Sequence, residues 1–375
     1  MFTQSAPRCR GVSVCIVPIV VGALLILPDA ALTESRPRQT SRDNSSPNGL
    51  VVVLENKPGQ AQLDLQALNN PFISGVALQI RWRDLEPIEG KPDWTKLDQL
   101  FAAAESSNKW VQLLIFPGFF SPPWALEGAQ TEMFAIQYGP GKGGTEKLPL
   151  PWDTVYLNHW FAFLKQLSDR YGKSPAFRVA AAAGPTSVSA EFTLPMKPED
   201  LEKWRSVGYT PRKYEEAWQK VFQVYAADFP NQYVSLSTGS GLNINERDKR
   251  DARAGRPTKD AVIEEGIRVL GRRFVLQNSN LDGNPEKERG PNNVLLVISY
   301  NGRIVTGFQL RTNCVHNSGN MGAEGDPPLA LKKAINRGMQ PNSAGRHVNY
   351  LEIYAPDVLA DEMQPVLRDG ASLFK

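Results

Sequence analysis

Eight short apolar segments recur along the chain, separated by stretches in which apolar residues repeat with a helical period. This alternation is typical of parallel α/β proteins, in which a helix returns the chain to the start of each new strand. Several of the segments are apolar throughout, as expected for strands covered on both faces. The predicted strands span residues 49–54, 75–82, 110–116, 177–183, 233–238, 274–277, 304–310 and 348–354. Eight strands with intervening helices predict a single-domain (β/α)8 TIM barrel over residues 49–375.

One segment complicates the strand count. Residues 294–300 and 303–309 flank the dipeptide Asn301-Gly302, which is strongly favoured in two-residue hairpin turns. We therefore expect an extra β-hairpin around residues 294–309. It would either pair outside the barrel or shift the count of barrel strands by one.

The first 48 residues differ from the rest of the chain. Two arginines precede an apolar run over residues 12–27, and small residues follow it. This order predicts a signal peptide over residues 1–31 and a secreted or periplasmic mature protein. An uncleaved N-terminal membrane anchor is the alternative, because Asp29 suits a cleavage site poorly. The polar segment 32–48 is predicted to be a flexible leader.

Composition excludes several classes of function. Lys and Arg total 42 and Asp and Glu total 39, a net charge of +3, and no extended basic face is visible. We therefore expect no nucleic-acid partner. Cys314 would be the only cysteine left after signal removal, so no intramolecular disulfide is expected. Three histidines without a CxxC or HExxH motif do not indicate a zinc site, and no cofactor or metal is predicted.

The most informative stretch follows the second predicted strand. It reads Trp82-Arg-Asp-Leu-Glu-Pro-Ile-Glu-Gly-Lys-Pro-Asp-Trp-Thr-Lys-Leu-Asp98. Such a stretch would form a βα loop at the carboxyl end of the barrel, where this fold builds its active sites. It resembles the clan A glycoside hydrolases, and most closely the family 42 β-galactosidases, which show W-x-x-L-E-P-x-x-G-x-x-D-W-x-x-L-D here. Residues 75–126 carry the resemblance, including Ser121-Pro-Pro-Trp124 after the third strand.

The resemblance implies hydrolysis of glycosides by two carboxyl groups, one acting as an acid and one at the anomeric centre. The resembling enzymes place the acid/base Glu after the fourth strand, where Glu191 is the only acid of the loop. Its apolar neighbours suit a raised pKa, although an ordinary solvated loop Glu is the alternative. The resembling enzymes have Asn immediately before this Glu, and this chain has Ala190.

Glu352 is the predicted second carboxylate. A charged residue within an apolar strand is costly unless it faces a polar site. The alternative is a buried Glu paired with an arginine such as Arg81. The resembling enzymes carry the nucleophile after the seventh strand, where this chain offers Gln309 and no acid. Either Glu352 acts from the last strand, or the count is off by one, or the site is degenerate.

Further residues are expected to bind substrate because of their positions. Aromatic rings can stack on sugars, amides and guanidinium groups can bind hydroxyls, and alternate residues of a strand share a face. The predicted substrate-binding residues are Arg81, Trp82, Trp124, Asn278, Gln309 and Tyr354. Core packing is an equally good interpretation of Trp82. The loop over residues 127–151 could form a lid over the substrate.

Together these observations predict an exported glycoside hydrolase that acts on oligo- or polysaccharides, with retention of configuration and a carbohydrate as its partner. Two departures, Ala190 and Gln309, favour an alternative, a non-catalytic carbohydrate-binding barrel with a degenerate active site. A transglycosylase or a barrel of unrelated chemistry is a third possibility, since fold does not fix function. The sequence identifies neither the sugar nor the oligomeric state.

Overall fold

A closed barrel of eight parallel strands forms the centre of the protein. The computed structural model describes residues 46–57, 59–137, 141–247, 249–251, 253–285 and 293–374. The strands are β1 (Gly49–Glu55), β2 (Ile73–Arg81), β3 (Trp110–Phe116), β4 (Thr131–Ala135), β5 (Thr145–Pro149), β6 (Phe177–Ala181), β7 (Tyr233–Ser237), β8 (Phe274–Leu281), β9 (Val305–Leu310) and β10 (Tyr350–Tyr354). Around the barrel the order is β1-β2-β3-β6-β7-β8-β9-β10, and β10 pairs with β1 to close it. These are the eight predicted strands, so the predicted (β/α)8 fold is confirmed.

Helices alternate with the barrel strands along the chain. They are α1 (Trp82–Leu85), α2 (Thr95–Ser106), α3 (Thr154–Tyr171), α4 (Pro198–Ser206), α5 (Pro211–Asp228), α6 (Gly255–Leu270), α7 (Asn293–Ser299), α8 (Cys314–Asn317), α9 (Pro327–Gly338), α10 (Ala355–Leu359) and α11 (Gln364–Ser372). Two helices begin at side-chain caps. The Thr210 hydroxyl accepts the Lys213 amide at the start of α5, and the Asp326 carboxylate accepts the Leu329 amide at the start of α9.

The predicted hairpin around residues 294–309 is wrong. Its first half is the helix α7, in which Val294, Val297 and Ile298 are buried. Their spacing is that of one helical face, so this apolar run covers the barrel as a helix and not as a strand. The dipeptide at 301–302 turns between α7 and β9 instead of joining two strands, and β9 remains the seventh barrel strand.

The described residues form a β-hairpin at another place in the chain. Strands β4 and β5 pair as a separate antiparallel sheet within the loop after β3. Phe134 of this hairpin stacks on Trp204 of α4, with ring centroids 4.4 Å apart. Arg83 of α1 donates a hydrogen bond to Glu146 of β5. The segment predicted as a lid is therefore packed against two helices in this structure.

The interior of the barrel is filled by large rings opposite glycines. The rings of Trp110 and Tyr350 meet edge to face inside the barrel, with centroids 5.6 Å apart. Gly75 pairs with Trp110, and Gly307 pairs with Tyr350, in the neighbouring strands. A Cβ atom at Gly307 would lie 2.2 Å from the Tyr350 ring. The absence of side chains at these two positions gives the rings their space.

The first 45 residues lie outside the described part of the chain, so the signal peptide, anchor and leader remain predictions. Among the described residues, no helix is long and apolar enough to cross a membrane.

We expect Gly307→Ala to destabilise the protein by about 1–3 kcal/mol, because the new methyl group overlaps the Tyr350 ring inside a closed barrel. Urea unfolding followed by circular dichroism would measure the loss. The double variant Gly307→Ala/Tyr350→Leu should lose less than the sum of the two single changes, since removal of the ring relieves the overlap. Additive losses would show that the two positions do not compete for space.

Candidate active site

Glu191 lies at the carboxyl end of the barrel, as predicted, in the loop that follows β6. Its backbone bridges in parallel to Ser237 at the end of β7, and the Phe192 amide donates to the Ser237 carbonyl at 2.8 Å. The Glu191 carboxyl group is hydrogen-bonded to the Ser279 hydroxyl. Burial raises the pKa of Glu191, and the Ser279 hydrogen bond opposes that shift. This environment favours a protonated carboxyl group at the mouth of the barrel.

The loop that carries Glu191 is held by aromatic donors from two helices. Trp160 Nε1 donates to the carbonyl of Ala183 at 2.8 Å, and the Tyr156 hydroxyl donates to Gly184 at 2.8 Å. The Tyr214 hydroxyl donates to the carbonyl of residue 185 at 2.9 Å. Three consecutive carbonyls are thus fixed by buried side chains. The path of the chain toward Glu191 is therefore set by the helical layer.

Glu352 lies on the inner face of β10, below the mouth. Side chains from strands that are not neighbours meet beside it: Gln112 of β3 donates to Gln277 of β8 at 3.0 Å, and the Tyr350 hydroxyl donates to Gln277 at 2.8 Å. These contacts cross the barrel, so they identify the residues that point inward. Glu352 pairs with Gln309 of β9 in register and shares this polar interior.

Burial raises the pKa of Glu352 to about 8, and the amides of Gln277 and Gln112 oppose the shift. The side chain has no exposed surface. Neither carboxyl oxygen makes a hydrogen bond of good geometry within the described residues. Glu352 is therefore largely protonated at neutral pH. It is not paired with Arg81, whose guanidinium group binds both oxygens of Asp84 at 2.7 and 2.8 Å.

We expect the free energy of unfolding to fall as the pH rises from about 4.5 toward 8, with a slope of up to about 1.4 kcal/mol per pH unit. The folded state holds the Glu352 proton in this window and the unfolded state releases it, so a higher pH favours unfolding. Glu352→Gln should flatten the dependence. Chemical unfolding at several pH values would measure both proteins, and equal slopes would contradict the raised pKa of Glu352.

Tyr354 interacts electrostatically with three carboxyl groups of the barrel interior. It ends β10 on the same face as Glu352, and its phenol is hydrogen-bonded to Gln79 of β2. Burial raises the pKa of the Tyr354 phenol, and the charges of Glu55, Glu352 and Glu191 raise it further. Three carboxyl groups therefore lie within electrostatic reach of one hydroxyl. The structure brings the predicted residues Glu191, Glu352 and Tyr354 together.

Glu55, Gln79 and Ser279 interact with the candidate residues, and the sequence interpretation did not name them. Glu55 ends β1 and pairs in register with Gln79 near the end of β2, so both face the same side of the barrel wall. A signal for Glu55 was present, since it is the acid that directly follows an unbroken apolar strand. No comparable signal marked Ser279, because only the register of β8 shows that its side chain faces inward.

The motif that carried the resemblance is mainly structural. Trp82 has no exposed surface and donates through Nε1 to the Glu86 carboxylate at 3.0 Å. The same carboxylate accepts the Gly90 amide at 3.0 Å, while Trp124 Nε1 donates to the Glu86 carbonyl at 3.0 Å. Trp124 also meets the Trp82 ring edge to face. These contacts fix the loop after β2, and the buried Trp82 offers no face to a sugar.

The two predicted amides take different positions. Asn278 lies between the inward-facing Gln277 and Ser279, so its side chain points to the outside of the barrel. Its amide donates to the Thr238 carbonyl at 3.4 Å and its oxygen accepts the Asn280 amide at 3.1 Å. Gln309 faces inward beside Glu352, is 3% exposed, and its Nε2 has no partner among the described residues.

Cys314 does not have the surroundings of a reactive thiol. Burial and the neighbouring Asp357 raise the pKa of the Cys314 thiol, which disfavours a reactive thiolate. The Asp357 carboxylate accepts the backbone amides of Cys314 and Val315, so it fixes the chain after β9. Within the described residues, no group of three His, Cys, Asp or Glu side chains is arranged to hold a metal ion.

Comparison with known proteins shows the fold. Neither a protein-family model nor a curated protein sequence matches this chain. The β-galactosidase of the psychrophilic Marinomonas ef1 superposes with a TM-score of 0.51 at 12% identity, over 86% of this chain and 59% of the other. The cold-adapted β-galactosidase of Rahnella sp. R3 gives 0.50 at 11%, over 88% and 57%. The catalytic domain of the major endoglucanase of Xanthomonas campestris pv. campestris gives 0.46 at 11%, over 87% and 93%.

The chain thus spans somewhat more than half the length of the two β-galactosidases. At these identities the similarity shows a shared barrel fold among glycoside hydrolases and nothing finer. The resemblance to family 42 rests on the motif alone.

Proposed function

We propose that this protein is an exported glycoside hydrolase that cleaves O-glycosidic bonds of oligo- or polysaccharides, with Glu191 as its general acid. The observation that carries the proposal is the environment of Glu191, a carboxyl group with a raised pKa, bound to Ser279 at the carboxyl end of a TIM barrel. This end is where enzymes of this fold build their active sites. The fold shared with the two β-galactosidases supports the choice of substrate class.

In this mechanism Glu191 gives its proton to the glycosidic oxygen as the bond to the anomeric carbon breaks. The charge that develops on the sugar ring requires a second carboxylate, which must be ionised. Tyr354 lies within electrostatic reach of Glu191 and Glu352, and its hydroxyl can bind a sugar hydroxyl. Arg81, at the end of β2, is held in an ion pair with Asp84.

The sequence interpretation assigns the second role to Glu352 and expects retention of configuration. Retention requires carboxyl groups about 5–5.5 Å apart and an attacking carboxylate that has lost its proton. Because burial raises the pKa of Glu352 to about 8, this version of the mechanism would operate mainly under alkaline conditions. It would also require the sugar to reach a side chain without exposed surface.

We expect Glu191→Gln to lower kcat/KM by about 10²–10⁴-fold on aryl glycosides with poor leaving groups, which most need a proton. Substrates with very good leaving groups should lose far less. Steady-state rates on a series of aryl glycosides would measure the difference. Glu362→Gln, an exposed acid on the outer helical layer, is the matched control. Near wild-type turnover of poor leaving groups by Glu191→Gln would remove Glu191 from the mechanism.

The pH profile gives a separate test. A general acid works only while protonated, so the raised pKa of Glu191 extends activity upward in pH, and kcat/KM should fall once the pH passes that pKa. We expect this alkaline limb to disappear in Glu191→Gln, measured on a substrate with a good leaving group. An unchanged alkaline limb in the variant would assign it to another residue.

A non-catalytic carbohydrate-binding barrel is the second candidate function. Gln309 stands on the seventh barrel strand where the resembling enzymes have an acid, and Glu352 is buried without charge at neutral pH. This function predicts that a sugar stabilises the fold against heat while wild type and Glu191→Gln both show no turnover. Calorimetric binding together with product analysis separates the two functions.

A further inference from the structure

We propose that Ser237 and Ser279, the serine pair, are positioning residues of Glu191: Ser237 donates to Ser279, and Ser279 donates to the Glu191 carboxyl group. This inference rests on the proposed function and names the residues that prepare its general acid. The two serine hydroxyl oxygens lie 2.7 Å apart, and Ser279 is hydrogen-bonded to Glu191. Both serines are more than nine-tenths buried, so bulk water has little access to these bonds.

The backbone brings the three side chains together independently of these hydrogen bonds. Glu191 bridges in parallel to Ser237, and Ser237 pairs in register with Gln277 of β8. Residues paired in a parallel sheet point to the same face, and alternate residues of one strand share that face. Gln277 accepts a hydrogen bond from Gln112 across the barrel interior. Glu191, Ser237 and Ser279 therefore also face inward, on neighbouring segments of the barrel wall.

The number of protons on each hydroxyl sets the direction of the two hydrogen bonds. An ionised carboxylate only accepts hydrogen bonds, and a serine hydroxyl has one proton to donate. When Ser279 gives its proton to ionised Glu191, the contact between the two serines requires Ser237 to be the donor. Two bonds aligned in this order strengthen each other, because each polarises the next. Ser237 thus acts on the Glu191 carboxyl group through Ser279.

A fixed donor on one carboxyl oxygen suits both stages of general acid catalysis. While Glu191 is protonated, Ser279 binds the carbonyl oxygen of the acid, and the proton stays on the other oxygen. As the glycosidic C–O bond breaks, its electron pair remains on the leaving oxygen, which takes that proton. The Glu191 carboxylate is then negatively charged, so the hydrogen bond from Ser279 becomes stronger. An interaction that strengthens toward the transition state lowers the barrier of the reaction.

Other titratable groups near Glu191 come from β10 and from the segment after β8. Tyr354 lies within electrostatic reach of Glu191, and Glu55 and Glu352 act on Tyr354 as well. Asp282, which follows β8, is held in an ion pair by α9. Substitution of either serine leaves all of these groups in place. A change in the titration of Glu191 would therefore report on the serine pair.

The test compares Ser237→Ala and Ser279→Ala with wild type and with the matched control Ser235→Ala on aryl glycosides. Ser235 is a buried serine on the same face of β7, two residues below Ser237. We expect both variants of the serine pair to lose about 10-fold in kcat on poor leaving groups, as for a lost hydrogen bond to a charged group, with KM nearly unchanged. The alkaline limb of kcat/KM should move upward by about one pH unit, because the ionised carboxylate has lost its donor.

Two further measurements separate the role of the serine pair from folding and from turnover. Ser279→Thr keeps the hydroxyl and should keep the wild-type alkaline limb. Infrared titration of the carboxyl bands, with Glu191→Gln to identify the band of Glu191, should show the upward shift in Ser237→Ala without any substrate. The double variant Ser237→Ala/Ser279→Ala should shift no further than Ser279→Ala alone, because Ser237 acts through Ser279.

Different outcomes separate this inference from the proposed function. If Ser237→Ala behaves like Ser235→Ala in the alkaline limb and in the infrared titration, the role of the serine pair is overturned and the hydrolase stands. An equal shift in Ser279→Thr and Ser279→Ala would assign the shift to packing and overturn it as well. If wild type hydrolyses no glycoside, the proposed function fails, and the infrared titration alone decides whether the serine pair acts on Glu191.

Discussion

Closure of the barrel between β10 and β1 is the interaction on which the site depends. Five residue pairs join these strands in parallel, from Gly49 with Tyr350 to Val53 with Tyr354. Because side chains alternate along a strand, this register decides at once that Glu352 and Tyr354 face inward and that Glu55 continues their row. A slip by one residue would move all three to the helical side. The first and last strands thus supply neighbouring parts of one mouth although they are far apart in the chain.

The inward-facing side chains differ along the barrel axis. Those at the amino end are packed rings that stabilise the fold, and those nearer the carboxyl end are polar. At the amino end, Trp110 and Tyr350 fill space left open by glycines, as in a close-packed core. Higher up, Gln112, Gln277 and Glu352 replace apolar packing with amides and a carboxyl group. A buried ionised carboxylate would be costly there, and the raised pKa of Glu352 lowers that cost by keeping the group neutral.

The sequence was sufficient to predict the barrel because each strand is a short apolar segment. Such a segment can be recognised without knowing which strands pair with it. It failed at residues 293–299, where a turn-favouring dipeptide was interpreted as a hairpin, although the spacing of the buried residues is helical. Glu191 was named as a candidate because the resemblance directed attention to the fourth strand. Glu55 was not named because two carboxylates were sought where the resembling enzymes keep them. Only the register around a closed barrel shows that the acid ending the first strand shares their mouth.

The motif shows how a local pattern can predict a fold correctly and yet say little about the site. Trp82, Glu86 and Trp124 form a closed set of hydrogen bonds and ring contacts that fixes the loop after β2. This set of residues also contacts α3, because Trp82 packs on Trp160. Trp160 in turn holds the carbonyl of Ala183, in the loop toward Glu191. The motif therefore acts on the candidate site through a chain of packed aromatic rings, by fixing the wall from which Glu191 projects.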